Sequence, residues 1–381
     1  MKWKKVKLTE ICKPKQWKNL PISELSQKGY PVYGANGIIG RYKEYNHEHP
    51  TLAITCRGAT CGTINITQPK SFITSNAMAL DDISEDVDQK FLYYALNKRG
   101  FKDIITGAAQ PQITREGLSK IVLDIPESKE YQLHIANLLS KAENLIAQRK
   151  ESIRLLDEFL KSTFLEMFGD PVRNEKGWET RTIEQLVKKE KYALKRGPFG
   201  GALKKEIFVP SGYLVYEQFH ALNNDFSFAR YFIDEAKFQE LKGFEVKPGD
   251  IIVSCSGVYL GKLAIVPKGA KQGIINQALL KISLDNRIIE NVFFVYVFSN
   301  ENFKRKFYGN VIGTGIPNFP SMDDFKKFNF IYPPIELQTQ FAQIVEKTEA
   351  IKTHYKQSLQ ELENLYGSLS QKAFRGELIK K

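Results

Sequence analysis

Leu139, Ile146, Ile153, Leu160 and Met167 recur every seven residues, and Ala142, Arg149, Leu156 and Thr163 fall three residues after the first four of them. A sustained spacing of 3.5 residues is the pattern of a helix that supercoils against a partner helix. Leu138, Leu145 and Phe159 widen the stripe beside it. The spacing predicts one helix over residues 135–168, roughly 50 Å long at 1.5 Å per residue. Pro126 precedes it, and Gly169-Asp170-Pro171 supplies the glycine-then-proline stop that helix ends prefer.

The partner lies in the same chain. An offset of 206 carries the first set onto Val345, Lys352, Leu359, Tyr366 and Ala373, and the second onto Thr348, Tyr355, Leu362 and Leu369. Ile344, Ile351 and Leu365 widen this stripe in turn, Gln132 maps onto Gln338 and Phe168 onto Phe374, and the stop glycines are Gly169 and Gly376. Two seam positions are charged, Arg149 in the first copy and Lys352 in the second.

The segments before the helices repeat as well. Residues 1–126 read as mixed α/β: a strand entering a short helix in WKKVKLTEI, a hairpin in PVYGANGIIGRY, and alternating β-branched residues broken by Gly58 and Gly62 in TLAITCRGATCGTINIT. FITSNAMAL reads as one strand and QKFLYYALNKRGFKDII as one helix, followed by the loop TGAAQPQIT and a short helix leading into KIVLDIP. Residues 171–333 keep the order: Trp178 parallels Trp3, Gly257 and Gly261 match Gly58 and Gly62, Asn276 matches Asn76, NVFFVYVFS matches KFLYYALN, and IGTGIPNFP matches TGAAQPQIT. The offset grows from 175 to 206, so the insertions lie early in the second copy, near KRGPFGGALKK and the residues up to Asp250.

This gives a module at 1–128, a helix at 129–169, a module at 170–333 and a helix at 334–381. A module of about 160 residues has a radius of gyration near 15 Å and close termini, so it cannot return the chain across roughly 50 Å. The fold class expected is therefore two similar α/β (α+β) modules plus two long α-helices. The helices pair as an intramolecular antiparallel two-helix coiled coil with a pseudo-twofold axis, a dumbbell.

Charge indicates the partner. The chain carries a formal +12; residues 132–168 are net zero and residues 335–381 net +1, which leaves +11 on the two modules. Basic surface at a pI near 9.2 points to a polyanion, nucleic acid first. There is no run of eighteen apolar residues, and MKWKKVKLTEICK lacks the apolar core of a signal peptide, so a soluble cytoplasmic chain without membrane contact is expected. Four cysteines without a CxxC spacing argue against a disulfide framework or a zinc ribbon.

No catalytic constellation stands out. Tyr332-Pro333-Pro334-Ile335 has the prolines of an amino-methyltransferase motif without its Asn or Asp, and Gly313-Thr314-Gly315 lies in a loop. Asp225 with Glu235-Ala236-Lys237 has a nuclease-like spacing that is common by chance, and His47 and His49 lack a third metal ligand nearby. The glycines of Gly197-Pro198-Phe199-Gly200-Gly201 are not followed by the GK[ST] ending of a phosphate loop. No catalytic residue, metal site or resident cofactor is assigned. Side chains suited to DNA are present instead, because Arg and Lys bridge phosphates or fork onto guanine while Asn and Gln fork onto adenine. The candidates are Arg41, Lys43, Arg57, Gln110, Gln112 and Arg115 in the first module, and Lys195, Arg196, Lys204, Lys205, Gln218, Lys262, Gln277 and Asn318 in the second. The aromatic residues are assigned to cores rather than to base stacking, and Asn76 and Asn276 are read as turn or strand-end groups as readily as base contacts.

The order PVYGANGIIG, TCRGATCG and GAAQPQIT, then RGPFGGALK, SCSGVYLG and GTGIPNFP, resembles the specificity (S) subunits of type I restriction–modification systems. So do IPESKEYQLHIANLL and YPPIELQTQFAQIV leading into the helices, and the resemblance covers the whole chain. It departs at Glu127, where a second proline is expected. The resemblance implies two target-recognition domains, each reading half of a bipartite, interrupted site in double-stranded DNA, and a non-enzymatic subunit. It implies two methyltransferase (M) subunits that carry S-adenosylmethionine, and two restriction (R) subunits that use ATP and Mg. Two alternatives stand beside this reading: the recognition subunit of a related bipartite-site system that cuts on both sides of its target, and a coiled-coil adaptor that binds proteins only.

Overall fold

The computed structural model describes residues 2–35, 37–308 and 319–378. It divides into two compact units, residues 1–152 with 355–381, and residues 153–354. Each unit therefore holds one module and part of both long helices.

The long helices are Lys129–Phe168 and Ile335–Phe374. The first begins six residues before Ile135, because the Ser128 hydroxyl accepts a hydrogen bond from the Tyr131 amide (3.3 Å) and so caps the turn just after Pro126. It ends at Gly169, whose φ of 75° suits a residue without a Cβ. Inside the first unit Arg149 lies over the Tyr355 ring (4.2 Å), Glu143 accepts a hydrogen bond from Tyr366 (3.1 Å), and Leu139 shares a core with Ala373. Inside the second unit Asp157 pairs with Lys352 (2.6 Å) and Phe164 packs on Phe341. Partner numbers rise as first-helix numbers fall, so in each unit the helices run antiparallel.

Leu139 and Leu160 are buried, as is Val345. Ile146, Ile153, Met167, Leu359, Leu362, Tyr366 and Leu369 are half-buried. The widened stripe differs from expectation: Leu138 and Ile344 are half-covered, whereas Leu145, Phe159, Ile351 and Leu365 are exposed. All six sit just before the seam, outside the a and d positions that a two-stranded contact covers, and Ile344 gains its cover by packing against the second module's core. The polar seam residues are satisfied. Lys352, 8% exposed, donates to Asp157 and Glu349. Burial works to lower its pKa, and the two carboxylate bonds outweigh that and leave it raised. Arg149 is spent on Tyr355 through a cation–π contact.

In the first module the strands are β1 (Trp3–Lys7), β2 (Lys13–Gln16), β3 (Tyr30–Gly34), β4 (Gly37–Tyr42), β5 (Leu52–Thr55), β6 (Ile64–Ile66), β7 (Phe72–Ile73), β8 (Ala77–Asp81) and β9 (Val122–Pro126). In the second they are β10 (Thr180–Thr182), β11 (Leu194–Arg196), β12 (Tyr213–Tyr216), β13 (Phe232–Ile233), β14 (Glu245–Val246), β15 (Ile251–Ser254), β16 (Leu263–Ile265), β17 (Gly273–Ile275), β18 (Leu279–Ile282) and β19 (Asn329–Ile331). The sheets correspond one to one. β1-β9 matches β10-β19, β2-β8-β5-β6 matches β11-β18-β15-β16, and β4-β3-β7 matches β13-β12-β17, to which the inserted β14 adds an edge. In both modules one pair of the second of these larger sheets, β3 with β7 and β12 with β17, is parallel.

FITSNAMAL is two strands in two sheets, because Ala77 donates to the Thr74 carbonyl (3.1 Å) and closes a turn between β7 and β8. The aromatic helix stops at Arg99, where Gly100 takes a φ of 70°, and Phe101 and Ile104 return to the core outside any helix. Its counterpart Asn291–Ser299 is followed by a separate helix, Glu301–Tyr308. The loop around Gly313-Thr314-Gly315, Pro317 and Asn318 lies outside the described residues. Among the described residues no helix is long and apolar enough to cross a membrane.

One buried amide ties each module to its helix. Gln132, 1% exposed, accepts from the Asp88 amide (2.8 Å) and donates to the carbonyls of Asp86 (3.0 Å) and Pro126 (2.9 Å). Gln338, fully buried, accepts from the Glu290 amide (2.9 Å) and donates to the Pro333 carbonyl (2.7 Å). Each side chain joins the first turn of a long helix to the entry of the aromatic helix and to the segment behind the last strand.

Replacing Gln132 with Leu removes the partner of the Asp88 amide and of the Asp86 and Pro126 carbonyls, the last of them buried. The expected cost is about 3 kcal/mol. Hydrogen exchange should show the Asp88 amide and the 89–99 helix losing protection while residues 183–331 keep theirs; uniform loss in both units contradicts the assignment.

Candidate nucleic-acid interface

In the first module, loops from separate strands meet at one rim. Cys56, just past β5, donates its amide to the Asn76 carbonyl (3.0 Å) and accepts at its own carbonyl from Ile113 (3.0 Å). The Gly58 amide donates to Pro111 (3.0 Å), and Thr106 and Gln112 exchange a pair of backbone bonds (2.9 and 2.8 Å). The Thr60 hydroxyl reaches the carbonyl of Ala35 at the β3–β4 turn, and Gln16 donates to Ser75 (3.1 Å). Backbone groups hold the rim, which leaves side chains free to face outward. Gly58 has a φ of 87° with open space around it, the backbone freedom that a tight loop over a partner uses.

Arg57, Gln110 and Gln112 are exposed on this rim, and Arg115 stands exposed at the first turn of the helix Arg115–Ser119. Arg57 and Gln112 face each other across a β-bridge. Arg41 and Lys43 are not brought to it. They lie at the far end of β4, four and six residues from Gly37, where Arg41 donates to the Gly29 carbonyl (2.8 Å).

The described residues of the second module build part of a similar rim. Cys255 donates to Ala278 (2.8 Å) and accepts from Phe319 (3.0 Å), Gly261 donates to Ser254 (2.9 Å), and Gly197 donates to Leu279 (2.9 Å). A Cβ on Gly197 would lie 1.8 Å from the Asn276 carbonyl oxygen, so only glycine fits there. Lys262 and Gln277 are exposed, as are Lys204 and Lys205 farther along the inserted segment. Arg196 is half-buried, and its Nε has no hydrogen-bond partner among the described residues. Lys195 turns its ammonium over the rings of Tyr192 and Phe244 (5.4 and 5.0 Å), away from Arg196 along the strand. Gln218 spends its amide nitrogen inside the module, on Ser254 Oγ (2.8 Å) and the Ser256 carbonyl (2.9 Å). Asn318 lies outside the described residues. Asn276 caps its own turn by accepting from Ala278 (3.1 Å).

Two rim residues escaped the sequence reading. Phe199 is 74% exposed and Tyr259 is 53% exposed, where composition alone places aromatic residues in cores. The RGPFG motif, glycines on both sides of a lone aromatic, is the signal that marks Phe199.

Groups suited to chemistry are occupied elsewhere. Burial pushes the Cys255 thiol up to about 12 against the opposing pull of Arg196, and burial with Asp81 does the same for Cys12, so neither is a thiolate near neutrality. Asp225 accepts from Ser227, Glu235 from Tyr213 and Gln239, and Lys237 pairs with Glu240 (2.7 Å), so the nuclease-like triple is dispersed among local partners. His47 is buried, with Nε2 3.0 Å from Asp81 and Nδ1 2.6 Å from Asn46. Among the described residues no group of three or more His, Cys, Asp or Glu is placed to hold a metal ion.

Residues 1–155 and 175–364 match the family described as the type I restriction modification DNA specificity domain. The chain is 22% identical over 344 residues to the specificity subunit of the type I restriction enzyme MjaVIII of Methanocaldococcus jannaschii, covering 83% of this chain and 79% of that protein. It is 26% identical over 353 residues to the MjaIX specificity subunit of the same organism, covering 86% and 77%. With the EcoprrI specificity subunit of Escherichia coli it shares 116 residues at 28% identity, 30% of this chain and 28% of that protein. Among solved structures, the S subunit of the type I restriction–modification system of M. genitalium gives a TM-score of 0.66 at 18% identity, over 98% of this chain and 96% of that one. A structure from work on complex assembly and conformational transition of the type I system gives 0.57 at 15% identity, over 99% and 98%. At those identities the structural likeness is one of fold.

Gly197 and Gly257 separate steric from conformational constraint. Gly197→Ala should cost about 3 kcal/mol or more, because the new methyl meets backbone. Gly257→Ala, at a φ of 74° with nothing within 4 Å, should cost only about 1–2 kcal/mol. Urea unfolding checks the order; equal costs contradict the packing described for Gly197.

Proposed function

The chain belongs to the family of type I restriction–modification DNA specificity domains, and from that premise we propose that its two rims read the two halves of one bipartite, interrupted site in double-stranded DNA. One observation carries the proposal: just past β5 and just past β15, Cys56 and Cys255 make the same pair of backbone bonds, donating to the neighbouring strand's turn and accepting from the returning loop, and the two frames are faced with different side chains. Arg57, Gln110, Gln112 and Arg115 face the first, and Arg196, Lys262 and Gln277 the second. Equal frames with unequal faces suit two readers of unequal half-sites. Arg and Lys supply phosphate contacts and guanine forks, and Gln supplies adenine forks.

Two modules on one duplex engage grooves about one helical turn apart, roughly 34–36 Å. In this proposal the long helices set that interval, and with it the unread gap. The chain acts without chemistry of its own. It works with two methyltransferase subunits that bind S-adenosylmethionine and two restriction subunits that use ATP and Mg. Exposed apolar positions just before the seam, Leu145 and Leu365 in one unit and Phe159 and Ile351 in the other, suit contact with those subunits.

Methylome sequencing of cells carrying the chain with its methyltransferase partner is expected to return one motif of two dissimilar half-sites across a fixed gap. Inserting seven residues at equivalent points of both helices preserves the seam register and adds about 10 Å. The gap should then lengthen by no more than about three base pairs, and an unchanged gap counts against the helices as the spacer. DNA binding should also weaken steeply with salt, since phosphate contacts release counterions. Salt-insensitive or absent binding favours the protein-only adaptor.

A further inference from the structure

We propose that Phe199 is a wedge that enters the DNA base stack beside Arg196, and that only the second module carries one. The inference rests on the DNA-reading function above and adds a distortion of the duplex at one half-site. Phe199 is the most exposed phenylalanine among the described residues, at 74%. It does not sit on a loose loop. Gly197 and Pro198, immediately before it, are buried, and Gly197 is fastened to Leu279 and pressed against Asn276. A short 3-10 turn, Gly200–Leu203, follows and returns Leu203 to a hydrophobic cluster with Val215 and Phe238. The chain is therefore pinned on both sides, and an aromatic ring is held in water between the pins.

The surroundings fit a nucleic acid rather than an apolar protein face. The Arg196 guanidinium lies 5.8 Å from the Phe199 ring, and its Nε has no hydrogen-bond partner among the described residues. Lys204 and Lys205 follow within six residues and are exposed. An apolar side chain between basic groups is the composition that unstacks a base step while neighbouring cations hold the phosphates. The first module has no such residue at the corresponding place. After β2 the aromatic is Trp17, whose Nε1 donates to Asp81 (3.1 Å), whose ring packs on His47, and over which Lys15 lies at 3.8 Å. Its hairpin tip exposes Ile38 instead. The two modules thus differ in how they meet DNA, one by surface contact and one by insertion.

The test uses the full chain and a duplex that the wild-type chain selects from a random pool, with each adenine replaced in turn by 2-aminopurine. Binding is expected to raise fluorescence several-fold at one step, in one half-site only. Phe199→Ala should abolish that rise and weaken binding about tenfold, as loss of one base–aromatic stack does. The slope of log affinity against log salt should stay unchanged, because no phosphate contact is lost. Phe199→Trp should keep the rise. The thermal midpoint of Phe199→Ala should match wild type, since the ring is exposed, so a folding defect is distinguishable. If Phe199→Ala binds and brightens the probe as wild type does, the wedge is wrong and the DNA-reading function stands. A wild-type chain that selects no duplex overturns both.

Discussion

A buried glutamine at the foot of each long helix is the constraint on which the rest depends. A helix of forty residues has no intrinsic reason to leave a sheet at a fixed angle. Gln132 and Gln338 impose one by bonding, within a single side chain, the helix's first turn, the segment behind the last strand and the entry to the aromatic helix. Bonds made by a buried amide are costly to break and tolerant of little displacement. The rim loops return to strands of that same module, so a reading surface is oriented only as well as its helix is anchored.

The seam shows how a long two-helix contact tolerates polar residues. Arg149 meets Tyr355, its own counterpart at an offset of 206, and Lys352 is held by Asp157 and Glu349. Replacing such groups by apolar ones often leaves stability unchanged, so their value is better sought in register, since a slipped helix would strand a buried cation. The chain's end caps repeat the logic. Trp178 donates its indole N–H to Phe168 (2.8 Å) at the end of the first helix, and Trp3 packs its indole against Gly376 at the end of the second.

Much of this was legible in the sequence. The heptads and the constant offset located both helices and the glutamine pair, and the glycine spacing located the β5–β6 and β15–β16 loops. What was missed was decided by contacts distant in sequence. FITSNAMAL alternates as one strand would, and only the Thr74–Ala77 turn divides it between two sheets. Arg41 and Arg57 look equivalent as exposed arginines in glycine-rich text, yet pairing of β3 with β4 places one of them away from the rim. Gln218 reads as an adenine-forking amide until Ser254 and Ser256 claim it. Phe199 reads in the sequence as one more core aromatic, and the exposure that distinguishes it is set by Gly197 against Asn276.

The claim that each rim reads its own half of the site is tested most directly by altering one rim at a time and sequencing the methylated DNA. With Arg57→Ala and Gln112→Ala together, the half-site read by the first module should become degenerate while the other half and the gap stay as they were. Arg196→Ala should relax the second half alone. If either change alters both halves, or neither does, the two rims are not independent readers of one interrupted site.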